Sequence, residues 1–172
     1  MRIITDTGTD ILDKEAKKLG IELVAIRSNF TDTVFSENTE AEFTRFYDKL
    51  RQTDTLPVSS QPSPAEFLEL FEDAKEKQEE VVVITISSKL SGTYNGAMLA
   101  KDMAEYDNIY VVDSLQASLS ERLLVEYAVK LRDAGMGAKE LVRKLEQDRE
   151  RVILTGVPST LLYLKMGGRI SP

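Results

Sequence analysis

Val81-Val82-Val83-Ile84-Thr85-Ile86 runs without polar alternation. Such a run suits a central strand of a parallel sheet, buried on both faces. It passes into Ser87-Ser88-Lys89-Leu90-Ser91-Gly92-Thr93 and then into a helical segment that reaches about Glu105. Outward from this unit the same alternation recurs. Toward the N-terminus, Arg2 to Thr5 reads as a strand ended by Asp6 and a turn at Gly8. Asp10 to Leu19 reads as a helix closed by Gly20, and Glu22 to Ile26 as a second strand. Ser28 to Asn38 is the longest polar loop. Glu40 to Leu50 is helical, with Phe43, Phe46, Tyr47 and Leu50 on one face. Ser63-Pro64-Ala65-Glu66 predicts a capped helix start: Ser63 caps, Pro64 suits the first helical position, and Glu66 reaches back. Phe67, Leu68, Phe71 and Ala74 form that helix's buried stripe.

Toward the C-terminus, Ile109 to Val112 reads as a strand ending in Asp113-Ser114. Helices follow at Ala117 to Ala134, stopped by Gly135 and Gly137, and at Ala138 to Glu150. A strand is expected at Val152 to Thr155 and a short helix at Ser159 to Met166, closed by Gly167-Gly168. Strands alternating with helices predict an α/β fold, a mainly parallel sheet flanked by helices.

With 172 residues, 42% of them hydrophobic and 30% charged, the chain is long enough for one full domain and a fragment of another. The net charge of -7 and the lack of a basic run argue against a nucleic-acid partner. With no cysteine and no histidine, disulfides, thiolate or imidazole metal sites and a Ser-His-Asp triad are excluded. The first residues, MRIITDTGTD, do not read as a signal peptide, and no window approaches the length of a membrane span. A cytoplasmic protein without stable membrane insertion is expected.

Ligands of open parallel sheets bind beyond the carboxyl ends of the strands. Small polar residues gather there: Thr5-Asp6-Thr7, Ser59-Ser60-Gln61, the loop 87–93 and Asp113-Ser114. Ser91-Gly92-Thr93 is the most informative group. Gly92 lets a ligand approach the backbone, the following helix offers free amides, and Ser91 and Thr93 add hydroxyls. This suits a carboxylate or phosphate, and it equally suits a plain helix cap. Ser59 and Ser60 carry the same ambiguity as turn residues. Asp6 and Asp113 read either as functional carboxylates or as turn acceptors. No Walker loop or dinucleotide fingerprint is present, and no catalytic residue, metal ligand or cofactor is assigned.

Taken together, these segments resemble the DegV family. Thr5-Asp6-Thr7, Ser59-Ser60-Gln61-Pro62-Ser63-Pro64, Ile86 through Tyr94, Val111-Val112-Asp113-Ser114 and Gly167-Gly168-Arg169-Ile170-Ser171 fall in that family's order. The resemblance implies a two-domain α/β protein that holds a long-chain fatty acid between its domains. It places the carboxylate on Ser59 and Ser91, with Gly92, Thr93 and Arg169 as further ligand residues. Asp6, Ser60, Asp113 and Ser114 are supports. It implies a carrier, not an enzyme, which presents the acid to a separate fatty-acid kinase. Residues 1–150 would form the N-terminal DegV domain, and 151–172 a linker and the start of a second domain that is otherwise missing, along with its histidine. Departures from the family pattern are Ala25-Ile26 for Pro-Leu, Ser59 for threonine, and Ser120-Glu121-Arg122 where relatives show Gly-x-Gly. Charges there would narrow or polarise the tunnel. The alternatives are a small phosphotransferase or hydrolase using Asp6 or Asp113, and a sensor of a non-lipid small ligand.

Overall fold

The computed structural model describes residues 1–53, 55–161, 164–165 and 167–170. Four strands, β1 (Arg2–Asp6), β2 (Glu22–Val24), β6 (Val81–Thr85) and β7 (Ile109–Asp113), form a parallel sheet in the order β2-β1-β6-β7. Strand β6 is interior, with β1 on one side and β7 on the other. Ile4 lies opposite Val83, and Val83 opposite Val111.

Alternation along β6 feeds two cores. Val82 and Ile84 face one side, packed against Val125 and Ala128 of α5 (Leu119–Asp133) and Leu141 and Leu145 of α6 (Ala138–Asp148). Val81 and Val83 face the other, against Phe67 and Phe71 of α3 (Pro64–Glu76) and Ala97, Ala100 and Ala104 of α4 (Thr93–Ala104). All four β6 side chains are fully buried, as a strand covered on both faces requires. The large rings of α3 meet the small residues of α4, which lets the two helices lie close together on the sheet.

Local signals formed as expected in several places. Glu66 N–H donates to Ser63 Oγ at 3.4 Å while Ser63 N–H donates to Glu66 Oε2 at 2.9 Å, completing the capping box. Gly20 closes α1 (Asp13–Leu19) in the left-handed conformation, at φ 61°.

Other expectations are corrected. The helix expected from Asp10 begins at Asp13, because Thr7–Thr9 form a 3-10 turn and Asp10 takes a left-handed φ of 58°. The helix expected from Ala117 begins at Leu119, and α6 ends at Asp148 rather than Glu150. The stretch 28–38 is not a plain loop. Residues from it and its flanks build β3 (Arg27–Asn29) and β4 (Val34–Phe35), which join β5 (Val58–Ser60) in an antiparallel sheet of order β4-β3-β5. The expected strand Val152–Thr155 does not form. After a 3-10 turn at Arg149–Arg151, the Val152 carbonyl accepts from Gln116 Nε2 at 3.0 Å and Ile153 is 83% exposed. Of the expected helix Ser159–Met166, Leu164 and Lys165 are helical, while Leu162, Tyr163 and Met166 lie outside the described residues, as do Ser171 and Pro172.

Candidate ligand site

The ends of β1, β6 and β7 lie side by side, and most of the expected polar residues stand there. Asp6 is fully buried. Its Oδ1 accepts from Gly8 N–H at 2.9 Å and its Oδ2 from Ile86 N–H at 2.8 Å. Burial pushes its carboxyl up to about 6, although the two amides favour the charged form. Asp113 Oδ1 accepts from Ser88 N–H at 3.0 Å and Leu115 N–H at 3.1 Å. Ser114 Oγ accepts from Gln116 N–H at 3.0 Å. These three side chains hold the turns that follow their strands.

Ser91 Oγ accepts from Thr93 N–H at 3.3 Å, and the Ser91 and Thr93 hydroxyls are 2.8 Å apart at the start of α4. Ser91 thus holds the first amide of α4 while Gly92 stands at the N-cap position, and both hydroxyls lie beside the helix start. Gly92 serves a close approach. A methyl group there would have to push aside the amide end of the Gln61 side chain, which also lies 3.7 Å from the corresponding position on Gly96. Gln61 thus brings the Ser59–Ser60 segment against the Ser91 loop. No hydrogen bond joins Ser59 to Ser91.

Ser59 lies opposite Ser28 in the small sheet, and its Oγ accepts from Arg169 Nη2 at 3.0 Å. Arg169 Nη1 also donates to the Gly167 carbonyl at 2.6 Å. Ser60, on the other face, accepts from Asn29 Nδ2 at 3.0 Å. A cavity of about 570 Å³ opens beside Ser59, with Leu50, Leu56, Pro57 and Val58 as apolar walls and Arg169 at its polar end. Ser28 borders this cavity and a second one of about 350 Å³. The second is walled by Ile26, Phe35, Phe43, Phe46 and Ile86 and reaches Gly8. Phe35 and Phe46 pack edge to face at 5.5 Å, and each also meets the Phe30 ring. These rings come from a stretch read as a polar loop and from α2 (Glu40–Gln52). Phe30 and Phe35 were themselves the signal that the stretch had a buried side.

The charges at Ser120-Glu121-Arg122 take separate directions. Arg122 pairs with Glu15 at 3.0 Å and Glu126 at 2.8 Å, and Ser120 Oγ donates to the Ala117 carbonyl at 2.7 Å. Glu121 is fully buried and neither carboxyl oxygen has a hydrogen-bond partner. Burial, reinforced by Asp6, Asp10 and Asp113, pushes its carboxyl up to about 10. It falls on the buried stripe of α5 with Leu124, Val125 and Ala128, a spacing that marks the position in the sequence. Among the described residues no cluster of three or more carboxylates could hold a metal ion, and no helix is long and apolar enough to cross a membrane.

Comparison with known proteins bears on this arrangement. The family model described as "Uncharacterised protein, DegV family" matches residues 1–172. A DegV domain-containing protein of Caldanaerobacter subterraneus is 33% identical over 98% of this chain and 60% of its own length. A solved DegV family protein of Thermus thermophilus, described for its fatty-acid binding, superposes with a TM-score of 0.81 at 30% identity, covering 98% of this chain and 60% of that one. The Fatty Acid Kinase (Fak) B3 protein of Streptococcus pneumoniae, solved loaded with linoleic acid, gives a TM-score of 0.73 at 30% identity, covering 87% of this chain and 54% of its own. The chain therefore spans about 60% of the length of the curated relatives it matches.

Proposed function

The chain belongs to the DegV family, and we propose that it supplies the carboxylate anchor and one wall of a long-chain fatty-acid site in a carrier that presents the acid to a separate fatty-acid kinase. The observation that carries this reading is the cavity beside Ser59: apolar walls of Leu50, Leu56, Pro57 and Val58, with a hydroxyl and a guanidinium at one end. An acyl chain needs the walls and a carboxylate needs the end. Ser28 leads on to the aromatic cavity, which extends the apolar lining available to a long chain. In this reading Ser59 and Arg169 bind the carboxylate directly. Ser91, Gly92 and Thr93 add the hydroxyls and amides at the start of α4. Asp6, Ser60, Asp113 and Ser114 shape the turns around them.

The T. thermophilus and S. pneumoniae proteins support the ligand class, and the latter's description supports a kinase as the partner. Residues 1–150 would be the N-terminal DegV domain, with 151–172 leading into a second domain. The protein would work in the cytoplasm and use no cofactor. Ser59 and Arg169 would each contribute a charge-assisted bond of about 1.5–3 kcal/mol. Ser59→Ala with Arg169→Ala should then weaken linoleic acid binding at least about tenfold in a calorimetric titration. Unchanged affinity would remove these residues from the anchor, and saturable binding of a non-lipid ligand in place of fatty acid would overturn the ligand class.

A further inference from the structure

Glu121 sits in the first turn of α5 and faces a second buried acid. A methyl carbon built on Gly8 would lie 2.7 Å from Asp6 Oδ1 and 3.2 Å from both Glu121 Oε2 and Ile86 Cδ1. Two buried carboxyl groups therefore crowd one spot above Gly8, which is too tight for a methyl group. The charged groups around it are Asp6 from β1, Asp10 after the 3-10 turn and Asp113 from β7, and all three oppose ionisation of Glu121. Nearby cations are engaged elsewhere: Arg122 with Glu15 and Glu126, and Arg149 Nη1 with the Asp113 carbonyl at 2.6 Å. A metal ion is the first alternative guest, yet the described residues contain no carboxylate group of the size a metal site needs. A proton remains. The two environments decide which acid holds it, since Asp6 accepts two amide hydrogens that favour its anion and Glu121 accepts none.

Those same amides belong to Gly8 and Ile86, which line the aromatic cavity. Building on the fatty-acid reading, we propose that Asp6 and Glu121 form a one-proton latch behind that cavity. While Glu121 keeps its proton, Asp6 holds Gly8 and Ile86 together and the wall is closed. Release of the proton to solvent leaves two carboxylates crowded above Gly8, which drive each other apart and open the wall. Glu121 is a positioning residue, acting through Asp6.

The direction of the pH effect follows from burial. The carboxyl of folded Glu121 is raised from 4.5 to about 10. Its contribution to stability is complete below the lower value and is lost as pH climbs to the upper one. Across that window the folded chain holds one proton more than the unfolded chain, so this group lowers the folding constant roughly tenfold per pH unit. Glu121→Gln keeps the shape and removes the titration. In urea unfolding, the ratio of folding constants, variant over parent, should rise about tenfold for each pH unit above neutrality; a ratio independent of pH overturns the latch. A carbon-13 NMR titration of the Glu121 carboxyl in the unaltered chain reads the proton without a variant, and an ionised group at neutral pH overturns it equally. Parinaric acid fluorescence reads the cavity: affinity should fall between neutral and strongly alkaline pH in the parent and hold in Glu121→Gln. Parinaric acid that binds at no pH removes the cavity role together with the lipid reading, while the NMR titration still judges the proton. Stabilisation by magnesium in the parent alone would assign the two carboxyl groups to a cation instead.

Discussion

Replacing Glu66 with glutamine should loosen the attachment of the small antiparallel sheet to the parallel one. Glu66 stands at the start of α3, where Oε1 accepts from Arg27 Nη2 at 2.6 Å and Oε2 from Arg27 Nη1 at 3.1 Å. Arg27 opens β3, which pairs with the strand carrying Ser59. The pair thus ties the candidate anchor strand to the main body. The Arg27 guanidinium, and then the amide and hydroxyl of Ser63, hold the Glu66 carboxyl down at about 2, from 4.5. Taken whole, that shift corresponds to roughly 3 kcal/mol. Both side chains remain about a third exposed, 32% and 31%, so solvent screening reduces the figure. About 1–2 kcal/mol is the working expectation. Glutamine keeps the acceptor that the capping box needs, so Glu66→Gln removes the charge and leaves the cap. Because the folded value is depressed, the stabilisation is present above pH 4.5 and is lost as pH falls through about 2. Urea unfolding of parent and variant should show the full gap near neutrality and a shrinking one below pH 4.5. A gap that is absent near neutrality, or that persists unchanged into acid, would refute the ion-pair account.

Two other substitutions test how the core and the site are packed. Phe71→Ala removes a fully buried ring between α3 and the sheet and should cost about 3–5 kcal/mol in a denaturant titration; a loss under about 1 kcal/mol would mean that the α3–α4 layer closes over the cavity. Gly92→Ala places a methyl against the flexible end of Gln61, which can swing aside, and should cost under about 1 kcal/mol. Adding Gln61→Ala should recover most of that loss, and simple additivity in the double-mutant cycle would show that the collision is not the cause.

What the sequence disclosed divides by the range of its physical cause. The capping box at Ser63 to Glu66 is local, since donors and acceptors lie three residues apart, and it was legible. The central strand was legible because burial on both faces leaves its mark on every side chain of the run. Strands β3 and β4 were not, because segments of three and two residues have no periodicity of their own and exist through pairing, β4 with β3 and β3 with β5. Val152–Thr155 failed in the opposite sense: its side chains suit a strand, yet the segment takes no strand pairing and Ile153 stays exposed. For the site, the motif residues around β1, β6 and β7 did gather at the strand ends. The contact of Gln61 with Gly92 and the meeting of Glu121 with Asp6 depend on loops and on α5 arriving from distant parts of the chain, and spacing alone encodes neither.

The same geometry separates binding from catalysis at the strand ends. A general base needs a pKa near the working pH and an oxygen free to take a proton from the substrate. Asp6, at about 6, meets the first condition. It fails the second, because it is fully buried and each oxygen already accepts an amide hydrogen. Asp113 Oδ1 is likewise engaged by two amides, those of Ser88 and Leu115. Asp6 is therefore spent on building its turn, while Asp113 holds the turn after β7 through one oxygen. The turns in turn present hydroxyls and free amides. Ser91 and Thr93 stand at the start of α4, and Ser59 and Arg169 face an apolar cavity. Groups of that kind suit a carboxylate held in its ground state by charge-assisted hydrogen bonds.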